Sequence, residues 1–367
     1  MAKEDISEKL EKLRNKGITV YSISRLNNFN QCQLGYYYTY VLKNTCLDCG
    51  HISSNIIDEC PKCKSNNIVC DRGKNSIYGV MGGHMHDCLQ NICDGNGTYE
   101  DMFNTYKTEL NRCKLQGIKF PSDTIGESWQ NDMNHFVTNF KSPYDTTVTE
   151  KGFITDVNGV YMQGFIDLMT PNIDSIDIID WKTSSKFTDK KLLHAGRQLV
   201  LYKIAIEKEL GIPANETMWY MLKYVYVNYD GKRKMCNRGK WVKEISNLIK
   251  TQLKKLGVAE FLIPMMIDKA IENNTLDNMP QEVKDRFKIS DCIVKYEITD
   301  ELINETKQYI EDSVKEIESL GGIIAEYQPC DIDKENFFCG TLCGHSDKCK
   351  PYKEWLNKNK DNFKKKY

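Results

Sequence analysis

No apolar run in this 367-residue chain approaches the roughly 20 residues that a membrane-spanning helix needs. The first residues, Met-Ala-Lys-Glu-Asp, lack the apolar core of a secretion signal. Both absences point to a cytoplasmic protein without membrane contact. An excess of one charge sign is missing too, since 50 lysines and arginines face 51 aspartates and glutamates. That argues against a protein that coats nucleic acid with a globally basic surface, and it confines any such surface to a local patch. It says little against an enzyme whose site must itself be acidic. No Gly-x4-Gly-Lys-Ser/Thr loop occurs, so the chain carries no nucleotide-driven motor of its own. No internal repeat is visible.

A hydrophobic fraction of 40% and 20 tyrosines are enough to build a packed core. The 15 cysteines are more informative. In a cytoplasmic chain they are poor candidates for disulfides and better ones for metal ligands. Cys46-x2-Cys49 and Cys60-x2-Cys63 present four thiolates with the spacing of a zinc ribbon, with Gly50 and Pro61 fitting the knuckle turns. Polar and turn residues fill the rest of 44–72, which reads as an inserted module whose folding energy Zn²⁺ would supply. Cys70 is spare, and His51 could compete as a ligand. Lys62, Lys64, Arg72 and Lys74 cluster near the second knuckle and could grip nucleic acid; the module could equally contact a protein partner or cap the helix it interrupts. Cys339-x3-Cys343-x5-Cys349 gives only three ligands and needs a fourth. The tail from Lys348 to Tyr367 interleaves Tyr352, Trp355 and Phe363 with lysines. A solvated helix is its ordinary reading, and a surface that tracks DNA is the sharper one.

Along the chain, residues 1–17 suggest a short amphipathic helix or a loose arm. Ser22 or Ser24 caps a stronger helix that contains Cys32. Helix resumes over 78–93 after the Gly82-Gly83 pair, with His86 in its first turns, and continues through 101–142. Strands are expected over 146–183, a helix over 189–210 and a long strand over 217–229. Helix follows over 241–276, a last strand over 292–298 and a helix over 300–319. The pattern is α/β: a mixed central sheet flanked by helices, with the zinc-ribbon insertion.

The centre of the chain is Gly164-Phe165-Ile166-Asp167 followed by Asp180-Trp181-Lys182. Side chains alternate across a strand, so Asp180 and Lys182 share a face, and a paired neighbouring strand brings Asp167 to it. Two carboxylates can hold Mg²⁺ or Mn²⁺, while a lysine beside them positions water and offsets developing charge; this is the equipment of metal-dependent phosphodiester hydrolysis. Gln198-x3-Tyr202 places two more polar side chains on one face of the next helix. An isolated Asp-x-Lys is most often a surface salt pair. The ordered series of His86, Asp167, Asp180-x-Lys182 and Gln198-x3-Tyr202 is what lifts the functional reading above that.

This series resembles the RecB-like branch of the PD-(D/E)XK nuclease superfamily. The opening Ser22-Ile23-Ser24-Arg25-Leu26, with Phe29, Cys32, Tyr36 and Tyr37, is similar to that branch's N-terminal motif. The resemblance implies a restriction-endonuclease-like core in which His86, Asp167, Asp180 and the carbonyl of Trp181 bind Mg²⁺ or Mn²⁺. It implies that Lys182 acts on the water, and that Gln198 and Tyr202 bind DNA or orient the site. Members with an iron–sulfur cluster, the CRISPR-associated exonucleases among them, pair one cysteine before the core with three after it. That pattern falls on Cys32, Cys339, Cys343 and Cys349 as ligands of a [4Fe–4S] cluster, although the family's first gap is x2 and here it is x3. Such a cluster would staple the chain ends and add on the order of 5–6 kcal/mol at most by loop entropy.

The implied division is an N-terminal helical part (1–43), the ribbon (44–72), the nuclease core (73–330) and a cysteine segment with basic tail (331–367). The expected activity is a DNA nuclease, a single-strand or end-processing exonuclease serving replication, recombination or repair, with a helicase or recombination protein as a possible partner. The competing reading is a non-catalytic nucleic-acid-binding or adaptor protein that keeps the fold. A lysine beside two carboxylates speaks against it.

Overall fold

The computed structural model describes residues 3–42, 44–53, 59–69, 73–187 and 189–359. Cys70, Arg72 and the end of the tail from 360, including Phe363, lie outside the described residues. The strands in chain order are β1 (Val20–Tyr21), β2 (Asn44–Cys46), β3 (Ile52–Ser53), β4 (Ile68–Val69), β5 (Val148–Val157), β6 (Val160–Pro171), β7 (Ile176–Lys182), β8 (Ala214–Tyr229), β9 (Lys232–Asn237) and β10 (Lys288–Lys295). The chain divides into two compact units. One comprises Met1–Val80, Phe153–Gly164 and Thr299–Tyr367; the other comprises Met81–Gly152 and Phe165–Ile298. Among the described residues, no helix is long and apolar enough to cross a membrane.

The second unit holds β7, β8, β9 and β10 with the end of β6, paired in one mixed sheet. β8 is its spine: nearly every residue from Thr217 to Val227 is buried, the pattern of a strand covered on both faces. The helix Asp189–Leu210 connects β7 to β8, and the two strands run parallel, with Asp180 beside Trp219 and Lys182 beside Met221. β6 pairs antiparallel with β7, Leu168 opposite Ile179 and Met169 opposite Ile178. β9 and β10 both pair antiparallel with β8, on its two edges. Trp219 and Tyr220 point to opposite faces. Tyr220 meets Phe136 of the helix Asp123–Asn139 edge-on at 6.2 Å, while Trp219 meets Tyr296 at 4.9 Å. The helix Asp123–Asn139 thus covers one face, and the helix Asp189–Leu210 lies on the other, its Gly196 against Tyr296. The helix Trp241–Lys255 places Trp241, Val242, Ile245, Ile249 and Leu253 on one stripe that packs with Val225, Val227 and Cys236 of β8 and β9.

In the first unit, Asn158-Gly159 turns β5 into β6 with φ of +52° and +89°, the left-handed pair that a two-residue hairpin turn favours. β1 pairs parallel with the start of β6, Val20 beside Tyr161. Ser22 is the cap of the next helix, Ile23–Gln31, its hydroxyl accepting from the Arg25 N–H at 3.2 Å. Cys32 does not continue that helix. It is extended (φ −162°, ψ 106°), ends one helix and caps the short Gln33–Tyr36. The helix Asp300–Ser319 is tied to this N-terminal segment: Asn30 donates to Ser313 at 2.8 Å and Tyr309 to Asn27 at 2.7 Å. β2, β3 and β4 form a separate small antiparallel sheet with β2 in the middle.

Candidate active site

The two strands expected to carry the carboxylates do pair. Continuing their register one step beyond Leu168–Ile179 sets Asp167 against Asp180. The Trp181 N–H donates to Asp167 Oδ2 at 2.8 Å and fixes that carboxylate where the strands part. A strand residue points its N–H and C=O toward the same neighbour, so the Trp181 carbonyl faces β6 as well. Lys182 lies two residues from Asp180 on the same face, its ammonium 2.5 Å from Asp180 Oδ2.

The helix Asp189–Leu210 supplies the next two groups. Lys182 Nζ donates to Gln198 Oε1 at 2.9 Å, and Gln198 Nε2 donates to the Tyr202 hydroxyl at 2.5 Å. The i,i+4 spacing of Gln198 and Tyr202 makes this chain possible, and Tyr202 holds the amide so that its oxygen faces the lysine. The ammonium is thus pinned between a carboxylate and an amide.

His86 comes from the helix Ile77–Cys93. The Gly82-Gly83 pair suggests a helix start by sequence, but both glycines lie inside the helix. Gly82 serves packing: a β-carbon there would sit 3.2 Å from Thr183 Oγ1, just past the end of β7. One turn later, His86 Nδ1 stands 3.4 Å from Asp167 Oδ1, and its ring meets Trp181 edge-on at 5.8 Å. Glu150 on β5 is the residue that sequence reasoning missed. His86, Glu150 and Asp167 each offer a ligand atom within 4.8 Å of the others. Glu150 has φ +46°, a left-handed conformation uncommon for glutamate, and such conformations gather at functional sites.

Asp180 is 1% exposed, and its Oδ1 has no hydrogen-bond partner. Burial pushes its carboxyl up to about 6 although Lys182 opposes the shift; the Asp167 charge adds to it. The His86 imidazole is raised above its ordinary value. Burial works against that, and the hydrogen bond and charge of Asp167, with the charge of Asp180, outweigh it. Three carboxylates, one of them with an orphaned buried oxygen, and an imidazole gather beside Lys182. A divalent cation fits that donor set, since hard oxygen ligands are what Mg²⁺ and Mn²⁺ take.

The cysteines singled out as metal ligands form two groups, both in the first unit. Cys46, Cys49, Cys60 and Cys63 bring their sulfurs within 4.8 Å of one another, with Cys46 to Cys63 at 3.5 Å and Cys49 to Cys60 at 3.6 Å. Four thiolates tetrahedral about one ion at about 2.3 Å would be about 3.8 Å apart, so a single metal ion fits this quartet. Each pair is a tight turn: the Gly50 N–H donates to the Cys46 carbonyl and the Lys64 N–H to the Cys60 carbonyl, both at 2.8 Å. Gly50 and Lys64 are left-handed there, with φ of +67° and +60°. Of the basic residues near this module, Lys64 and Lys74 are in exposed ion pairs with Glu59 and Asp347.

Cys32, Cys339, Cys343 and Cys349 line one enclosed pocket, together with a fifth thiol, Cys330, and with Tyr38 and His345. Between Cys339 and Cys343 the chain makes a π turn, Phe338–Leu342, in which the Cys343 N–H reaches the Phe338 carbonyl five residues back at 2.8 Å. His345 is buried, with Nδ1 unpartnered. Of the aromatics expected along the tail, Tyr352 is buried and stacks on Trp355, whose indole donates to Asp333 at 2.6 Å. Both belong to the packing of this segment.

Among curated proteins, none matches the chain closely enough to count as a relative. The model of the PD-(D/E)XK nuclease superfamily matches residues 20–350, a span that takes in His86, Glu150, Asp167, Asp180, Lys182, Gln198 and Tyr202, and the chain belongs to that superfamily.

Proposed function

We propose that this protein is a Mg²⁺- or Mn²⁺-dependent deoxyribonuclease of the RecB-like type, acting as an exonuclease on single strands or duplex ends. The observation that carries the reading is the buried, unpartnered Oδ1 of Asp180 beside Asp167, with Lys182 pinned at its other oxygen. Asp167, Asp180, Glu150 and His86, with the Trp181 carbonyl, would hold the cation. When bound, the cation supplies Lewis acidity toward the phosphate and lowers the pKa of its water. Lys182 orients the attacking water with its remaining N–H donors and offsets the growing negative charge. Gln198 and Tyr202 keep the ammonium from drifting toward Asp167. Neutral His86 can ligate through one nitrogen while Asp167 fixes the ring.

Two further assignments accompany this one. The quartet Cys46, Cys49, Cys60 and Cys63 is a zinc ribbon, supported by the 3.5–3.6 Å sulfur spacing. The pocket of Cys32, Cys339, Cys343 and Cys349 holds a [4Fe–4S] cluster, supported by an enclosed all-thiol donor set that joins the ends of the chain. A role in DNA replication, recombination or repair, beside a helicase or recombination protein that supplies the missing motor, follows from that activity. Asp167→Ala should abolish Mn²⁺-dependent DNA degradation with the far-UV circular dichroism unchanged. Undiminished degradation would overturn the assignment.

A further inference from the structure

The loop after β7 and the far end of β8 form a surface that the catalytic reading leaves unused. Phe187 meets Trp219 at 4.8 Å, and the neighbouring Lys186 N–H donates to the Tyr224 hydroxyl at 3.1 Å. Trp219 and Tyr224 thus lie on one face, and β8 shifts its register against β10 between Tyr220 and Val225. Beyond the shift, Tyr224, Tyr226 and Asn228 alternate with Val225 and Val227, which pack against the helix Trp241–Lys255 on the other face. Opposite Tyr226 stand Met235 of β9 and Ser290 of β10; opposite Asn228 stand Arg233 and Lys288. Directly opposite residues share a face, so these four join Tyr224, and no carboxylate is among them. The helix Asp189–Leu210 runs from β7 back to the start of β8, away from this end.

Lys186, Arg233 and Lys288 are exposed. The Arg233 guanidinium lies on the Tyr226 ring, 4.1 Å from its centroid, and among the described residues no carboxylate forms an ion pair with it. Its strand is fixed by the Asp230-Gly231 hairpin turn, with φ of +48° and +69°. Lys288 pairs with exposed Asp285 at 4.0 Å. A guanidinium with one plane on a tyrosine offers the other to a flat group. An unpaired base can stack there, whereas a base inside a duplex cannot. Met221 of β8 stands beside Lys182, and Tyr226 is five residues on, about 17 Å along the strand.

We propose that this face carries the single-stranded part of the DNA substrate to the acidic site: a base stacks on Arg233, and Lys186 and Lys288 take backbone phosphates. The identity of the strand rests on the nuclease reading given above.

The test uses the full chain without added divalent cation, so that the strand stays intact, and reads the fluorescence anisotropy of a labelled oligodeoxythymidylate. Arg233→Ala should raise Kd by about 5–150-fold, the range for loss of one stacked base. Arg233→Lys keeps the charge, loses the plane and should recover only part of that. Lys186→Ala and Lys288→Ala should each lower the slope of log K against log salt by about 0.7. Lys234→Ala is the control: it lies opposite Val227 on the other face, its ammonium donating to the Glu244 carbonyl at 2.6 Å, and should leave Kd unchanged. An unchanged Kd for Arg233→Ala overturns the proposal, as does a wild type that does not bind the strand. Equal loss from Lys234→Ala overturns it too, because charge without place would then explain the binding. Arg233→Ala that weakens a blunt duplex as much as the single strand overturns the single-strand assignment, and tighter binding of oligouridylate overturns DNA as the occupant. A wild type that binds through Arg233 but releases no nucleotides in Mn²⁺ overturns the nuclease reading and supports the surface, so the two failures are distinct.

Discussion

The acidic site and the five-cysteine pocket, both proposed to hold metal, are assembled in opposite ways. Asp167, Asp180, Lys182, Gln198 and Tyr202 come from one hairpin and the helix that follows it, and hydrogen bonds hold them in place: Trp181 to Asp167, Lys182 to Gln198, Gln198 to Tyr202. The pocket joins Cys32 to thiols roughly 300 residues away, and much of what meets there is sulfur against sulfur. The first is a site whose residues the protein's own hydrogen bonds hold together. The second is a site whose metal would do part of the folding.

Four experiments would break or sharpen that contrast. The largest effect is expected at the pocket. Cys349→Ala, by removing a ligand of the proposed cluster, should lower stability by up to about 5–6 kcal/mol, seen as a lower denaturation midpoint, whereas loss of the acidic site's cation should leave the fold standing. Next is Lys182→Ala, which should cut DNA hydrolysis by about 10²–10⁴-fold with the midpoint unchanged. A large fall in stability would mean that Lys182 is a structural ion-pair partner.

The third concerns pH. The folded-state carboxyl of Asp180 is raised to about 6, above the unfolded value of about 3.9. Between those values the folded state binds the extra proton, so in metal-free protein this group costs stability above pH 6 and the cost disappears as pH falls. Proton and cation compete for the same carboxylate, so Mn²⁺ affinity should fall by about tenfold per pH unit below 6. Asp180→Asn should raise the metal-free midpoint at pH 7 and flatten its pH dependence. Titration calorimetry and thermal melts at pH 5 and 7 check both. The smallest effect is Tyr202→Phe, which removes one neutral hydrogen bond from Gln198 and should cost about 0.5–1.5 kcal/mol in kcat/KM. No change would show that Gln198 is oriented without it.

The same contrast explains what could be read from the chain. The strands around Asp167 and Asp180 were legible because alternation and turn residues report on near neighbours, and Asp-x-Lys fixes a shared face by spacing alone. The zinc-ribbon quartet was legible for the same reason. Glu150 was not: it is one glutamate among many at the start of a strand, and its left-handed backbone is a tertiary fact. Cys330 was not, because no short spacing ties it to Cys339 or Cys32. By sequence Gly82 suggests a break before His86, whereas it lies inside the helix, where a β-carbon would press on Thr183 Oγ1. The π turn between Cys339 and Cys343 has no signal in sequence.

The central claim is that the buried acidic cluster holds a cation for phosphodiester hydrolysis. Mn²⁺-dependent release of nucleotides from linear DNA, measured side by side for the wild type and Asp180→Asn, tests it most directly. The wild type should degrade the DNA and the variant, with the same shape and one charge fewer, should not. Equal degradation by both, or none by a fully metallated wild type, would contradict it.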